Sequence, residues 1–368
     1  MKKTLLILIL CLAPVAKAEF LRTPYPGVRP MGMGNAFLAI SDDNNALWYN
    51  PAALARVKSY NVSLLDTSLG VDSVDTFNRI YAAIFQGDFN NLVRPDQQYM
   101  RVNLRPTFLM PYFSLSFFSH GTSFMRLSNL TDLNANVDLY GFNDVGVAAG
   151  VGIPLGPYLS VGATVRGFQR TGIDAVLTGV DLLMAMGLPV TPPSQAQVIS
   201  AVFQQVQTLM GGGLGLGLDL GMLFQVPLPK GYPKWSLAAV VDDFGKTTFR
   251  PFLLTNAPKR VDTTIHFGTA LQYELGKYGQ FNLSFDYRNA FESVALVKQL
   301  NLGVEYRHPK FGLRGGLSQG YLTFGASIEF PPSTRIHFSS SASELGASLW
   351  QQEYRVFMMQ IAIGFNPS

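Results

Sequence analysis

The feature that most constrains the fold is a two-residue alternation in the C-terminal part of the chain. In four segments, bulky apolar side chains occupy every second position, and mostly Asn, Ser, Gly, Thr or charged residues lie between them; these segments are 281–288, 300–307, 322–330 and 357–365. Successive side chains of a β-strand point to opposite faces. Each segment therefore predicts a strand with one bulky apolar face and one small or polar face.

A soluble sandwich and a membrane barrel would both alternate in this way. In a sandwich the bulky face fills the interior, and the other face meets water. Here only 14% of the residues are charged, against roughly 25% in average soluble domains. Together with the aromatic content of the bulky faces, this favours an all-β, transmembrane antiparallel β-barrel whose bulky faces meet lipid and whose small and polar faces line the lumen.

The N-terminus has the pattern of a secretory signal peptide. Two lysines precede an apolar run at 5–12, and small residues at Ala16 and Ala18 predict cleavage after Ala18. The run is shorter than the about 20 apolar residues that a membrane-spanning helix needs. The chain has one cysteine, Cys11, inside this run and directly after Leu10, which argues against a lipid anchor. We therefore expect export to the outer membrane of a Gram-negative cell.

Removal of residues 1–18 leaves little that could bind a metal or nucleic acid. The mature chain would contain no cysteine, and therefore no disulfide or thiolate ligand. Three of the 28 basic residues lie in the leader, so the mature chain carries 28 − 3 = 25 basic residues against 24 acidic residues. With a net charge of only 25 − 24 = +1 and no basic run, no nucleic-acid partner is expected.

The mature chain divides into a short irregular segment and a long strand region. Residues 19–59 are rich in proline and lack lasting alternation, which predicts a plug segment ahead of a barrel at 60–368. Fifteen candidate strands can be marked in the barrel, whereas bacterial single-chain barrels have an even number of strands. Residues 170–212 interrupt the strand rhythm and predict an apolar, partly helical loop insertion with a helix at 195–210.

Motifs that suggest catalysis or cofactors are weak in this sequence. The glycine-rich run 211–221 continues as an alternating strand, so a glycine-lined inner face is favoured over a dinucleotide fingerprint. None of the four histidines has a catalytic or metal-ligand spacing, although His266 and His337 fall on predicted inner faces beside serines. Residues 42–45 lack the spacing of a calcium loop. We expect no enzyme activity, no cofactor and no metal.

One segment resembles a known family. Residues 31–55 contain a small-residue patch, an acidic pair and an Asn-Pro-Ala turn, and the matching positions are Gly32, Gly34, Asp42, Asp43, Asn50 and Pro51. The segment resembles the N-terminal part of the FadL-type outer-membrane transporters of hydrophobic compounds, including their PorV-type relatives. The resemblance implies a fourteen-stranded barrel whose lumen is closed by the N-terminal plug, with the six residues as plug positions.

The resemblance also implies two alternative functions. In the transporters, small hydrophobic ligands such as fatty acids or aromatics enter from outside and leave sideways through the wall, where a strand is kinked. Pro111, inside the apolar segment 107–118, lacks an amide donor and is a candidate for that kink. The alternative is a non-conducting PorV-type barrel that serves as a scaffold or shuttle in protein secretion or surface attachment, with a protein partner at its extracellular loops.

Overall fold

The computed structural model describes residues 25–82, 97–128, 136–178, 208–229, 231–330, 334–344 and 350–365. The predicted leader, residues 179–207 of the predicted insertion and all but the last three residues of its predicted helix lie outside the described residues. In the described part of the chain, no helix is both long and apolar enough to cross a membrane.

Antiparallel strands dominate the structure. The described part has sixteen strand segments: β1 Asn61–Val71, β2 Gln97–Leu104, β3 Thr107–Met110, β4 Phe113–Ser128, β5 Asn136–Pro154, β6 Leu159–Thr178, β7 Gly211–Gln225, β8 Lys234–Asp242, β9 Phe249–Pro251, β10 Thr264–Glu274, β11 Gln280–Ala290, β12 Leu300–Arg307, β13 Phe311–Ser318, β14 Tyr321–Phe330, β15 Thr334–Glu344 and β16 Glu353–Phe365. The helices are short: α1 Val28–Gly32, α2 Ala46–Tyr49, α3 Val74–Tyr81 and α4 Leu296–Gln299, with 3-10 helices at Pro51–Arg56 and Gly276–Tyr278.

These segments close into a barrel with fourteen strand positions around its wall, which confirms the predicted fold. Each position, whether one strand or two segments fill it, is called a stave. β2 and β3 lie end to end between β1 and β4 and form one broken stave. β8 and β9 both pair with β7 and form a second one. The sixteen segments therefore make 16 − 2 = 14 staves. β16 pairs with β1, so the sheet has no free edge.

The inner and outer faces follow the predicted alternation. On β11, Phe281 and Phe285 are exposed on the outer surface, whereas Asn282, Ser284 and Asp286 are buried in the lumen. An apolar outer face with a polar interior is the arrangement of an outer-membrane barrel. The protein is therefore an outer-membrane protein, with membrane lipid against its outer face.

Several predicted strand boundaries were wrong. The candidate segments 121–128 and 133–140 are not separate strands, because β4 runs through to Ser128 and β5 joins 136–154 without a turn. Polar and small residues such as His120 and Gly121 look like turn residues in the sequence, but the lumen accepts them within strands. Strand β2 (97–104) was not predicted from the sequence, because the charged Arg101 and the polar Asn103 occupy its inward positions.

The insertion is also shorter than predicted. β6 continues to Thr178 and β7 begins at Gly211, so 179–210 rather than 170–212 connects the two strands. The strands joined by the long connections 72–96, 179–210 and 243–263 meet those connections at one end of the barrel, whereas short turns join strands at the other end. Outer-membrane barrels carry their long loops on the extracellular side and their short turns on the periplasmic side, which orients the molecule.

The described part of the N-terminal segment, 25–59, lies inside the barrel and is called the plug here. Apolar side chains of the plug, among them Phe37, Leu38 and Leu54, are fully buried and form one cluster with inward residues of the wall. The 3-10 helix packs on β5, β6 and β7, and α1 packs on β14 and β15. The plug thus spans the lumen from one wall to the other.

Glycines allow the plug and the wall to come into backbone contact. A Cβ atom on Gly316 would lie 2.4 Å from the Leu302 carbonyl oxygen and 2.7 Å from the Gly34 nitrogen. On the plug side, Gly32 faces the backbone of Gly325, and Gly34 has φ +64°, which favours glycine. Wall glycines with the same role against the plug include Gly162, Gly221 and Gly303.

We expect Gly316→Val to loosen the plug without opening the barrel. The new side chain would have to displace plug backbone, a strain of about 1–3 kcal/mol. The one native cysteine, Cys11, lies in the predicted leader. In a Cys11→Ala background, Ala36→Cys, at a position with no exposure, therefore gives a single thiol whose labelling rate reports plug release. Gly316→Val should raise that rate.

Gly315→Val is the matched control for this experiment. A Cβ on Gly315 would meet only ordinary contacts, 3.8 Å from Val304 and 3.9 Å from Thr323. Equal labelling rates in the two variants, with heat-modifiable gel migration intact in both, would contradict the proposed contact.

Candidate functional site

A cavity of about 680 Å³ lies between the plug and the extracellular end of the barrel. Its lining includes Tyr25, Trp48 and Tyr49 of the plug, inner residues of β5 and β6, and residues of the 243–263 connection. The volume falls within the roughly 300–1,000 Å³ that is usual for small-molecule pockets. The plug forms the floor of the cavity. A molecule that enters from outside therefore reaches plug residues at the base of the cavity.

Aromatic rings make up one side of the cavity. The Tyr25 ring lies 5.0 Å from the Trp48 ring, and Phe118 packs edge-on against both, with centroids at 5.7 and 5.1 Å. Phe168 extends the group to Phe249 of β9, at 5.7 Å. Tyr25, Trp48 and Phe168 of this group line the cavity, and such a surface can bind a flat or apolar molecule through dispersion and ring contacts.

A buried ion pair holds this aromatic group in place. Both Nε and Nη2 of Arg170 donate to the Asp144 carboxylate at 2.7 Å, and the Tyr25 hydroxyl donates to the same carboxylate at 2.8 Å. The Arg170 guanidinium lies 4.5 Å from the Phe142 ring centre and 5.0 Å from that of Phe249. The charge is thus neutralised while the rings keep apolar faces toward the cavity.

Two other charged groups near the floor, Arg166 and His266, are paired as well. Arg166 donates to Asp219 at 2.8 Å and to Asp243 at 3.0 Å. His266 lies 3.0 Å from the Asp242 carboxylate through Nε2, and its Nδ1 accepts the Asn289 amide hydrogen. The described partners of this histidine are therefore a carboxylate, a threonine hydroxyl and a backbone amide, not a serine nucleophile.

Asp42 and Asp43 meet a cation that sequence reasoning did not single out. Arg29 of α1 donates through Nη1 to Asp42 at 2.6 Å and to Asp43 at 2.8 Å. Its Nε and Nη2 donate to the two carboxylate oxygens of Glu305 on β12, at 2.8 and 2.6 Å. Arg29 thereby ties two plug segments to the wall.

Wall residues complete this group, which we call the Arg29 cluster (Arg29, Asp42, Asp43, Glu305 and Arg314). Arg314 of β13 donates to Glu305 at 2.7 Å, and Arg29, Glu305 and Arg314 are all buried. Burial works to raise the pKa of Asp43, but the Arg29 guanidinium and the Asn45 hydrogen bonds outweigh it and lower that pKa to about 2.

Two further contacts fix the plug to the wall. Asn50 donates through Nδ2 to the Met222 carbonyl of β7 at 3.4 Å. Within the plug, the same Nδ2 donates to the Leu38 carbonyl at 2.9 Å, and Oδ1 accepts the Ala52 amide at 3.1 Å, capping the 3-10 helix that begins at Pro51. On the opposite side, the Asp286 carboxylate accepts the Phe37 and Leu38 amides at 2.7 and 3.0 Å. The six motif residues therefore lie in the plug, away from the aromatic side of the cavity.

The interpretation of Pro111 as a strand kink was wrong. Pro111 and Tyr112 form the two-residue turn between β3 and β4, where Tyr112 has φ +68° and Met110 pairs with Phe113. A proline before a residue with positive φ is typical of a tight turn. The wall is instead interrupted between β2 and β3, at Arg105 and Pro106.

We expect Arg29→Met to release the plug. The substitution removes the cation shared by the buried Glu305 and the partly exposed Asp42 and Asp43. Asp42 keeps Arg307 and Glu305 keeps Arg314, so the expected cost is at most the about 3–5 kcal/mol of a fully broken buried pair. Thiol labelling at Ala36→Cys should therefore accelerate strongly. Arg79→Met is the control, because its ion pair with Asp75 is solvent-exposed, and exposed pairs contribute under about 1 kcal/mol. Similar labelling of the two variants would refute a central role for Arg29.

Acid should loosen the plug within a defined pH range. Because the pKa of Asp43 falls from 3.8 to about 2 on folding, its stabilising contribution is complete above pH 4 and is lost as the pH falls toward 2. In a variant that keeps Trp48 as its one tryptophan, the emission should shift to the red over this range. Asp43→Asn should remove that step; an unchanged step in Asp43→Asn would assign it to another group.

The fold resembles solved barrels. No protein-family model and no curated protein matches the chain. A monoaromatic hydrocarbon channel, the deltaS2 mutant of TodX from Pseudomonas putida, matches with 13% identity and a TM-score of 0.56 over 95% of this chain and 100% of that one. The toluene transporter TbuX of Ralstonia pickettii matches with 14% identity and a TM-score of 0.50 over 94% and 100%. The chain has the fold of these two barrels.

Proposed function

We propose that the protein is an outer-membrane channel for the passive uptake of small hydrophobic compounds. The aromatic-lined cavity above the plug is the observation that carries this proposal. Trp48, Phe142 and Phe168 line it, and paired charges hold their neighbours in place. Two barrels with this fold, a monoaromatic hydrocarbon channel and a toluene transporter, support the same class of compound.

The route through the barrel follows from where the lumen is filled. The plug is packed backbone to backbone against the wall, so the axial path below the cavity is closed. The wall has an irregularity at one height on two neighbouring staves: β2 and β3 are interrupted at Arg105 and Pro106, and the β1–β16 register shifts between Ser63 and Leu65. We propose that ligands leave sideways there into the bilayer.

The scaffold alternative has one favourable observation. Large apolar side chains are exposed at the extracellular end, with Leu253 at 75%, Phe291 at 80% and Trp350 at 72%. Such residues suit a protein partner at the loops. A scaffold would need neither the aromatic cavity nor an interrupted wall, so the channel accounts for more of the structure.

Uptake in cells tests the channel against the scaffold. We expect uptake of labelled toluene to depend on the protein and to fall about three- to tenfold in Trp48→Gln, because that variant loses an aromatic contact with the ligand. Trp350→Gln is the matched control, since Trp350 lies on an exposed loop; uptake should stay unchanged.

Two further readings keep the uptake result interpretable. In the Trp48→Gln background, slow labelling of the Ala36→Cys thiol would show that the plug remains docked. Absence of protein-dependent uptake of toluene and of labelled fatty acid, from a barrel with normal gel migration, would reject the channel in favour of the scaffold.

A further inference from the structure

The outer surface of the barrel carries a cation at the extracellular edge of its apolar band. On β7, every outward side chain from Phe224 to Leu214 is apolar. These 224 − 214 = 10 residue steps, at about 3.3 Å each on a strand tilted by about 40°, span about 25 Å, the usual height of such a band. Arg250 of β9 pairs with Leu214 and is exposed, whereas the adjacent Phe249 is buried in the lumen. Arg250 therefore points toward lipid at the level of the headgroups.

Polar side chains occupy the outer face of the next two staves at the same level. Gln169 of β6 pairs with Leu214, and one row closer to the outside Thr171 of β6 pairs with Asn143 of β5. These three polar residues face outward, because alternate residues such as Phe168 are buried in the lumen. One row closer to the middle of the membrane, the outward residues are Val147, Gly167 and Leu216. The change from apolar to polar residues marks the membrane interface.

The loop that follows β9 adds an apolar strip to this surface. Phe252 donates its amide to the Gly212 carbonyl at 2.9 Å, and the Gly212 amide donates to the Asn256 carbonyl at 2.8 Å, so the loop is fixed on β7. Gly212 faces outward, and a Cβ atom on it would lie 3.2 Å from the Leu254 side chain. Leu254 therefore lies on the outside of the wall. It completes what we call the outer-face site: Arg250, Gln169, Thr171, Asn143 and Leu254.

No carboxylate on the neighbouring strands offsets the charge of Arg250. The acidic residues of β5, β6 and β7 all occupy lumen-side positions: Asp138, Asp144, Asp174 and Asp219. Within the part of the chain that the structure describes, the Arg250 side chain has no ion pair and no hydrogen bond. The outer-face site thus offers an uncompensated cation beside amide and hydroxyl donors, a combination that suits an anionic headgroup.

We propose that the outer-face site binds a phosphorylated glycolipid of the outer leaflet. A guanidinium binds phosphate through parallel N–H···O bonds, and the amide and hydroxyl groups can bond to sugar hydroxyls. The acyl chains of the same lipid would lie along the apolar band below Leu214. The partner is a lipid and not a soluble phosphate compound, because the site opens onto the membrane and its floor is formed by Leu214 and Leu254. This inference goes beyond the proposed channel and does not depend on it.

Binding of diphosphoryl lipid A to the purified barrel in detergent tests the site. The comparison ligand is the same lipid A after removal of its phosphates, and native mass spectrometry gives the Kd of each. We expect wild type to bind the phosphorylated lipid about tenfold more tightly, and Arg250→Gln to lose that preference, because one charge-assisted contact to phosphate is removed. Inorganic phosphate should not compete, since it has no apolar body to contact Leu214 and Leu254.

Arg260→Gln is the matched control. It removes the same charge from the same 243–263 connection, but Arg260 lines the cavity and shares Asp262 with Lys246. Its lipid A binding should equal that of wild type, and heat-modifiable gel migration should be normal in both variants. Equal binding of the two lipids by wild type, or an equal loss in Arg250→Gln and Arg260→Gln, would overturn the site. A wild-type dimer that Arg250→Gln dissociates would also overturn it, because a second copy of the barrel would then occupy this face.

Discussion

The structure depends on the fact that hydrocarbon offers no hydrogen bonds to a backbone. Every strand amide and carbonyl in the membrane must be paired within the protein, and the β1–β16 seam achieves this by removing the last free edge. Closure with fourteen staves has a second consequence. An eight-stranded barrel can fill its interior with its own side chains, whereas barrels of 16–18 strands leave a water-filled channel. Between these sizes, additional polypeptide is needed, and here the N-terminal segment occupies the lumen.

Charge organises that filled lumen. The Arg29 cluster fixes the plug against one part of the wall, and the Arg170–Asp144 pair fixes the aromatic group on another. In both places the cation is matched by carboxylates and is removed from water, so each pair is strong only while its geometry is kept. The cavity lies above the plug, and Arg170 of the second centre lines it together with Tyr25 and Phe168. The aromatic side of the cavity and the charge next to it are therefore parts of one arrangement.

The sequence predicted those features that repeat locally. Alternation along β11 assigned Phe281 outward and Asn282 inward, because lipid and lumen demand opposite side chains at each step. Two kinds of feature could not be predicted from the sequence. A residue without an amide donor suits a turn as well as a strand kink. Pro111 could therefore be assigned to a turn only from the pairing of Met110 with Phe113 in the structure. Contacts between distant residues, such as Arg29 with Glu305, leave no local pattern, since 276 positions separate them.

The glycine-to-glycine contacts between plug and wall also restrict how this sequence can evolve. Gly34 and Gly316 approach so closely that a side chain on either one would collide with the backbone of the facing segment. A lineage that retains the plug must therefore retain small residues on both surfaces, and a lineage that loses the plug is free to replace the wall glycines. Related sequences should consequently gain or lose the two sets together, and a bulky residue at one of these wall positions would mark a barrel whose lumen is filled differently.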